Sequence, residues 1–133
     1  MIRVSNEDFN VNDLIRERKT PDMGAMVSFI GIVRDDGIDR IELESHQEVA
    51  VEELEAIRDE AFAKFPITSV DIIHRIGDLN VGDNIVLILV GAGHRREAFE
   101  GCEYIIERLK ERVPIWKKEY TKDGERWVQG KFH

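Results

Sequence analysis

Cys102 is the only cysteine among 133 residues, so no disulfide staples this chain and cysteine-paired zinc patterns are excluded. The four histidines, His46, His74, His94 and His133, have no paired ligand spacing, and neither a metal nor a cofactor is expected. Long apolar runs are also lacking. The longest, Ile85 to Val90, has six residues against the roughly 20 needed to cross a bilayer. It reads as a core strand, and no membrane partner is expected. No signal-peptide pattern marks the polar start, which makes the cytoplasm the expected compartment. Positive charge is in short supply: 19 Lys and Arg face 27 Asp and Glu, for a net charge of -8. Residues 1–64 hold 16 acids and 8 bases, and residues 65–133 hold 11 of each. A nucleic-acid reader shows the opposite balance. Walker loops and nucleophile elbows are absent. Gly91-Ala92-Gly93 opens like a dinucleotide fingerprint, but Arg96 stands at the third glycine position and no βαβ unit surrounds it.

Periodicity supplies the elements that are present. Residues 11–19 read as a short helix stopped by Thr20-Pro21. Residues 24–34 read as a strand that is apolar on both faces, and residues 40–44 as a second strand, joined to the first as a hairpin through Asp35-Asp36-Gly37. Residues 47–65 form the first long amphipathic helix, with Val51, Leu54, Ile57, Ala61 and Phe65 inward and an acidic outer face. Strands follow over 69–76 and 84–90, with a turn at 80–83 between them. The second long helix, 94–111, carries the stripe Ala98, Phe99, Cys102, Ile105, Ile106 and Leu109, and Pro114 ends it. Segments 116–120 and 126–129 suggest a closing hairpin around Asp123-Gly124. Gly91 and Gly93 are expected to let the chain bend between strand and helix. The whole indicates an α+β fold over residues 1–133 as a single domain, with a mixed or antiparallel sheet and two long amphipathic helices.

Chemistry concentrates where local charge opposes global charge. From Glu107 to Lys118 there are five basic residues and two acidic ones, around the bend at Pro114. Lys110 falls in the last turn of its helix, where the macrodipole alone accounts for a cation. Lys117 lies seven residues further on, and a chain folding back at Pro114 would bring the two ammonium groups into one pocket. Such a pair serves as fixed positive charge for an anion, or as a proton donor and acceptor. The second role needs a lysine lowered by about three pKa units, which requires about 4 kcal/mol of desolvation or like-charge repulsion. His94, Arg95 and Arg96 open the second long helix, a place suited to phosphate or carboxylate, although arginines there also pair with surface acids. His74 shares a face with Val70, Ile72 and Ile76 and reads as a core histidine; Cys102 reads as core.

Several blocks in order make the chain resemble the large, catalytic subunit family of molybdopterin synthase. They are Gly31-Ile32-Val33-Arg34, His74-Arg75-Ile76-Gly77-Asp78-Leu79, His94-Arg95-Arg96-Glu97-Ala98-Phe99, Leu109-Lys110, Val113-Pro114-Ile115-Trp116-Lys117-Lys118-Glu119 and Gly124-Glu125-Arg126-Trp127-Val128. The resemblance implies a hammerhead-like fold and a sulfurtransferase acting on cyclic pyranopterin monophosphate. It implies as partner a small ubiquitin-like carrier ending in a Gly-Gly thiocarboxylate, and a homodimer of large subunits within a heterotetramer, with pockets that borrow residues across the dimer. By position, Lys110 and Lys117 match the family's catalytic lysines. Arg34, His94 and Arg95 match its anion-pocket residues, and Glu119 matches an acid that orients a lysine. A noncatalytic module that only docks the carrier is the alternative.

Overall fold

The structure, a computed structural model, describes residues 1–128. Its elements in chain order are β1 (Ile2–Ser5), α1 (Val11–Arg18), β2 (Ala25–Ile32), β3 (Arg40–Ser45), α2 (Gln47–Lys64), β4 (Ile67–Arg75), β5 (Gly77–Asn80), β6 (Asn84–Ala92), α3 (Arg95–Arg112), β7 (Ile115–Thr121) and β8 (Gly124–Val128). The strands form two four-stranded sheets, ordered β1-β4-β6-β2 and β5-β3-β7-β8. All pairings are antiparallel except β1 with β4, so the expected α+β class with a mixed sheet holds. Among the described residues, no helix is long and apolar enough to cross a membrane.

The uniformly apolar β6 is central because both faces of its sheet are covered. Val86, Ile88 and Val90 join the cluster that includes Leu54 and Ile57 of α2 and Ile105 and Leu109 of α3. Leu87 and Leu89 join Leu14 of α1 on the other face. Asp71, on β4, is fully buried and receives hydrogen bonds from Arg18 Nε at 3.0 and 3.1 Å and from the Met1 amine at 2.7 Å. That pairing satisfies a buried carboxylate and fixes α1 to the back of the sheet.

Three expectations need correction. Residues 24–34 and 40–44 do not form a hairpin: β2 pairs with β6, and β3 pairs with β5 and β7 in the second sheet. The two strands suit different sheets. β2 is apolar on both sides, whereas β3 alternates buried Ile41 and Leu43 with Arg40, Glu42 and Glu44, as a strand with one solvated face requires. The exit of β2 is tied instead to the turn before β6, with Val33 N donating to Asp83 O and Gly82 N to Val33 O. Phe99, placed on the inner stripe of α3, is 62% exposed, because Gly101 and Cys102 take the inward positions. Of Gly91 and Gly93, expected to let the chain bend, neither has a positive φ; Gly91 lies within β6, whereas Gly93 does stand at the bend between β6 and α3. Gly24 and Gly91 allow close approach: a Cβ at Gly24 would lie 2.1 Å from Gly93 O, and one at Gly91 2.6 Å from Met23 Cε.

The second long helix spans Arg95–Arg112, with His94 as its N-cap. The closing hairpin is present as β7 and β8, and its expected last residue, Gln129, lies outside the described residues.

Candidate active site

The hairpin β7–β8 turns through Lys122 and Asp123, and its register pairs Lys117 with Val128 and Glu119 with Arg126. On the other side Lys117 pairs with Leu43 and Glu119 with Ile41. Alternation along a strand therefore puts Lys117 and Glu119 on the inner face of the second sheet, beside buried Leu43 and Ile41, and Lys118 on the outer face. Glu119 is a buried carboxylate, only 6% exposed. Arg126 donates from Nε and Nη2 to its Oε1 at 3.0 and 2.8 Å, and Lys117 Nζ lies 3.3 Å from its Oε2. Burial alone would raise the Glu119 pKa, but the bonds from Arg126 and Lys117 outweigh it and hold the carboxyl below its ordinary value.

The basic bend is less cationic than its sequence suggests, because acids meet most of it, some from neighbouring positions and some from other elements. Arg112 binds Glu53 at 3.1 Å and Glu60 at 2.7 Å, both on α2. Arg108 pairs with Glu111 at 2.9 Å, and Lys118 with Glu125 at 3.1 Å. Among the described residues Lys110 forms no ion pair; it is partly buried in the last turn of α3, where the helix dipole favours a cation. From Lys110 the chain runs through the C-cap Val113 and Pro114 into β7, which keeps the Lys110 and Lys117 Cα atoms within roughly 20 Å. Two lysine side chains can span much of that distance.

Arg34 follows β2 and is 83% exposed, with Asp36 at 2.9 Å from its Nε. An exposed pair of this kind is weak and yields readily to a stronger anion. Because α3 leaves the Ala92 end of β6 after two residues and packs back along β6 and β2, its C-terminal turn returns towards the Asn84 and Ile32 end, where Arg34 sits. His94 and Arg95 are at the other end of α3, exposed, and Arg96 pairs with Glu100 at 3.0 Å. Fifteen residues of helix separate Arg95 from Lys110, roughly 22 Å. Within one chain the six expected residues thus fall into two groups, Arg34, Lys110, Lys117 and Glu119 towards one end and His94 with Arg95 at the other. A surface depression of about 480 Å³ at the start of α2 is lined by Gln47, Glu48, Val51 and Glu52, whose carboxylates disfavour anions.

His74 and Cys102, expected to be core residues, are buried. His74 is fully buried and burial pushes its pKa down to about 4; its Nδ1 donates to Arg75 O at 2.7 Å. Cys102 is 2% exposed and burial pushes its thiol up to about 11, so it is no nucleophile at neutral pH. Arg126 is the residue that sequence reasoning missed. Counting outward from the turn, Thr121 opposite Gly124 and Tyr120 opposite Glu125, places it against Glu119.

Fold and site together define a class: an α+β protein with a lysine–carboxylate–arginine cluster under a small second sheet and a separate cationic helix start. A family model described as MoaE protein matches residues 4–112. The molybdopterin synthase catalytic subunit of Pyrococcus abyssi is 44% identical over 131 residues, covering 96% of this chain and 88% of that protein. The one from Staphylococcus carnosus is 42% identical over 127 residues, covering 92% and 79%. Among solved structures, molybdopterin synthase from Staphylococcus aureus superposes with a TM-score of 0.88 at 38% identity, covering 95% of each chain. The MoaE protein from Burkholderia ambifaria gives 0.85 at 40% identity, covering 98% of this chain and 90% of that one. The chain belongs to the MoaE family.

Proposed function

We propose that this chain, as one domain over residues 1–133, is the catalytic subunit of a molybdopterin synthase. It is an enzyme, a sulfurtransferase that moves sulfur from the C-terminal thiocarboxylate of a small ubiquitin-like carrier to cyclic pyranopterin monophosphate. Two successive transfers form the dithiolene. The observation that carries this reading is the Lys117 ammonium 3.3 Å from buried Glu119, on a strand that begins just past the helix end bearing Lys110. A thiocarboxylate tail and a phosphorylated pterin are both anions, and a chain of net charge -8 must concentrate cations where they meet.

Lys117 and Lys110 contact the thiocarboxylate and the charge that develops on its oxygen during transfer, and Glu119 orients Lys117. Arg34 binds the pterin phosphate by releasing Asp36. His94 and Arg95, roughly 22 Å from Lys110 along α3, complete the anion pocket from a second copy of the chain, within a heterotetramer of two large and two small subunits. The buried, neutral Cys102 fits a reaction in which the carrier brings the sulfur. The site of action is the cytoplasm. Calorimetric titration with cyclic pyranopterin monophosphate tests the reading: saturable binding, weakened by Arg34→Ala, is expected. A complete lack of binding by the folded chain with its carrier would favour a module that only docks the carrier.

A further inference from the structure

Arg126 has none of the proposed roles, yet it donates two hydrogen bonds to the buried Glu119. It lies on β8 directly opposite Glu119, and its two N–H groups at 3.0 and 2.8 Å both reach Oε1, leaving Oε2 to Lys117 at 3.3 Å. On the β3 side, Lys117 and Glu119 face Leu43 and Ile41, which are 1% and 2% exposed and offer no charge. Among the described residues, Arg126 is therefore the cross-strand cation that meets this carboxylate.

We infer that Arg126 is a positioning residue for Lys117, acting through Glu119. The reason lies in the shapes of the three groups. A carboxylate on a flexible terminal torsion has a broad, two-fold preference and does not fix its own plane. An ammonium is a compact point charge with no directional preference, so it settles wherever the negative charge is densest. A guanidinium is a rigid planar donor, and two N–H bonds from one edge hold the carboxylate oxygen that they share. With Oε1 so held, Oε2 is the oxygen left for Lys117. Without Arg126 the carboxylate can turn, and Lys117 can bridge both oxygens and be drawn away from an incoming anion. Arg126 also carries part of the carboxylate charge, which loosens the hold of Glu119 on Lys117. The Arg126 side chain is 66% exposed, whereas that of Glu119 is 8% exposed. Its loss therefore removes direction from the site more than it removes stability.

This inference rests on the proposed role of Lys117, and its test separates the two. In the heterotetramer supplied with thiocarboxylated carrier, Arg126→Ala should lower kcat for dithiolene formation by about 10- to 100-fold, the range of a misplacement near 1 Å. KM for the pterin should stay within about twofold, since a positioning group makes no contact with substrate. Arg126→Lys should recover part of the loss, and millimolar guanidinium should restore Arg126→Ala where ammonium does not. In a Glu119→Gln background, Arg126→Ala should add less than about twofold, because residues acting through one shared group are not additive. A rise in KM with kcat intact would place Arg126 on the substrate and overturn the inference, as would additive effects with Glu119→Gln. A readout independent of activity is the NMR signal of 13C-dimethylated Lys117. It should shift in Arg126→Ala and Glu119→Gln and stay in place in Arg16→Ala, on distant α1. An unmoved Lys117 signal in Arg126→Ala overturns the inference even if the wild-type chain makes no dithiolene, a result that would count against the proposed function alone.

Discussion

Replacing Glu119 with glutamine keeps the shape and removes the charge that both Lys117 and Arg126 address. At 3.3 Å and an effective dielectric near 20, the gross attraction between Glu119 and Lys117 is about 5 kcal/mol. Desolvation of two side chains that are 16% and 8% exposed offsets much of it. Arg126, two-thirds exposed, adds little. A net loss of about 2 kcal/mol lies between the values for exposed and fully buried pairs. For 133 residues, with an unfolding entropy of about 2.1 cal/mol/K per residue, that loss lowers Tm by about 7 °C. The effect depends on pH in a defined direction. The folded pKa of Glu119 lies below its ordinary value of 4.5, so its contribution is complete above that value and disappears as pH falls through the folded pKa. Thermal unfolding of wild type and Glu119→Gln by circular dichroism at pH 7 and pH 3 measures the difference. It should be near its full size at pH 7 and smaller at pH 3. Equal stability at pH 7, or a gap that persists unchanged in acid, would refute the cluster as described.

His74, held neutral by burial with a pKa of about 4 against an ordinary 6.5, should cost the fold about 3 kcal/mol between pH 6.5 and 4, because the unfolded chain takes up a proton that the folded chain refuses. Its ring NMR resonances should therefore stay at their neutral positions down to about pH 5, and a midpoint near 6.5 would contradict the burial. Gly24→Ala places a Cβ 2.1 Å from Gly93 O, so backbone must move next to the start of α3. A destabilisation of about 1–3 kcal/mol in urea unfolding is expected, and a neutral substitution would show that this contact is looser than described.

Strong periodicity made the main elements legible. The six-residue apolar run in β6 and the stripes Leu54, Ile57, Ala61 and Cys102, Ile105, Leu109 are where the sequence places them, because burial on one helix face or on both sheet faces leaves a direct pattern. Partner choice between strands was not legible. Asp35-Asp36-Gly37 does make a turn, with Gly37 at a φ of 78°, but nothing local says that the chain changes sheets there. The short strands β1 and β5 have four residues each, too few for alternation to stand out. In the site, the spacing of Lys117 and Glu119 gives their shared face, whereas Arg126 needs the hairpin register as well. The charge census of the bend overstated its free cations, since Glu53 and Glu60 reach Arg112 from 59 and 52 residues away. The separation of His94 and Arg95 from Lys110 follows from helix length alone.

The most direct test of the central claim mixes the chain with a thiocarboxylated small carrier subunit and cyclic pyranopterin monophosphate and follows the dithiolene product by mass. Wild type should form the product, and Lys110→Ala and Lys117→Ala should each abolish it while the fold and the carrier complex remain intact. Undiminished product from either lysine variant, or none from well-folded wild type, would contradict the account.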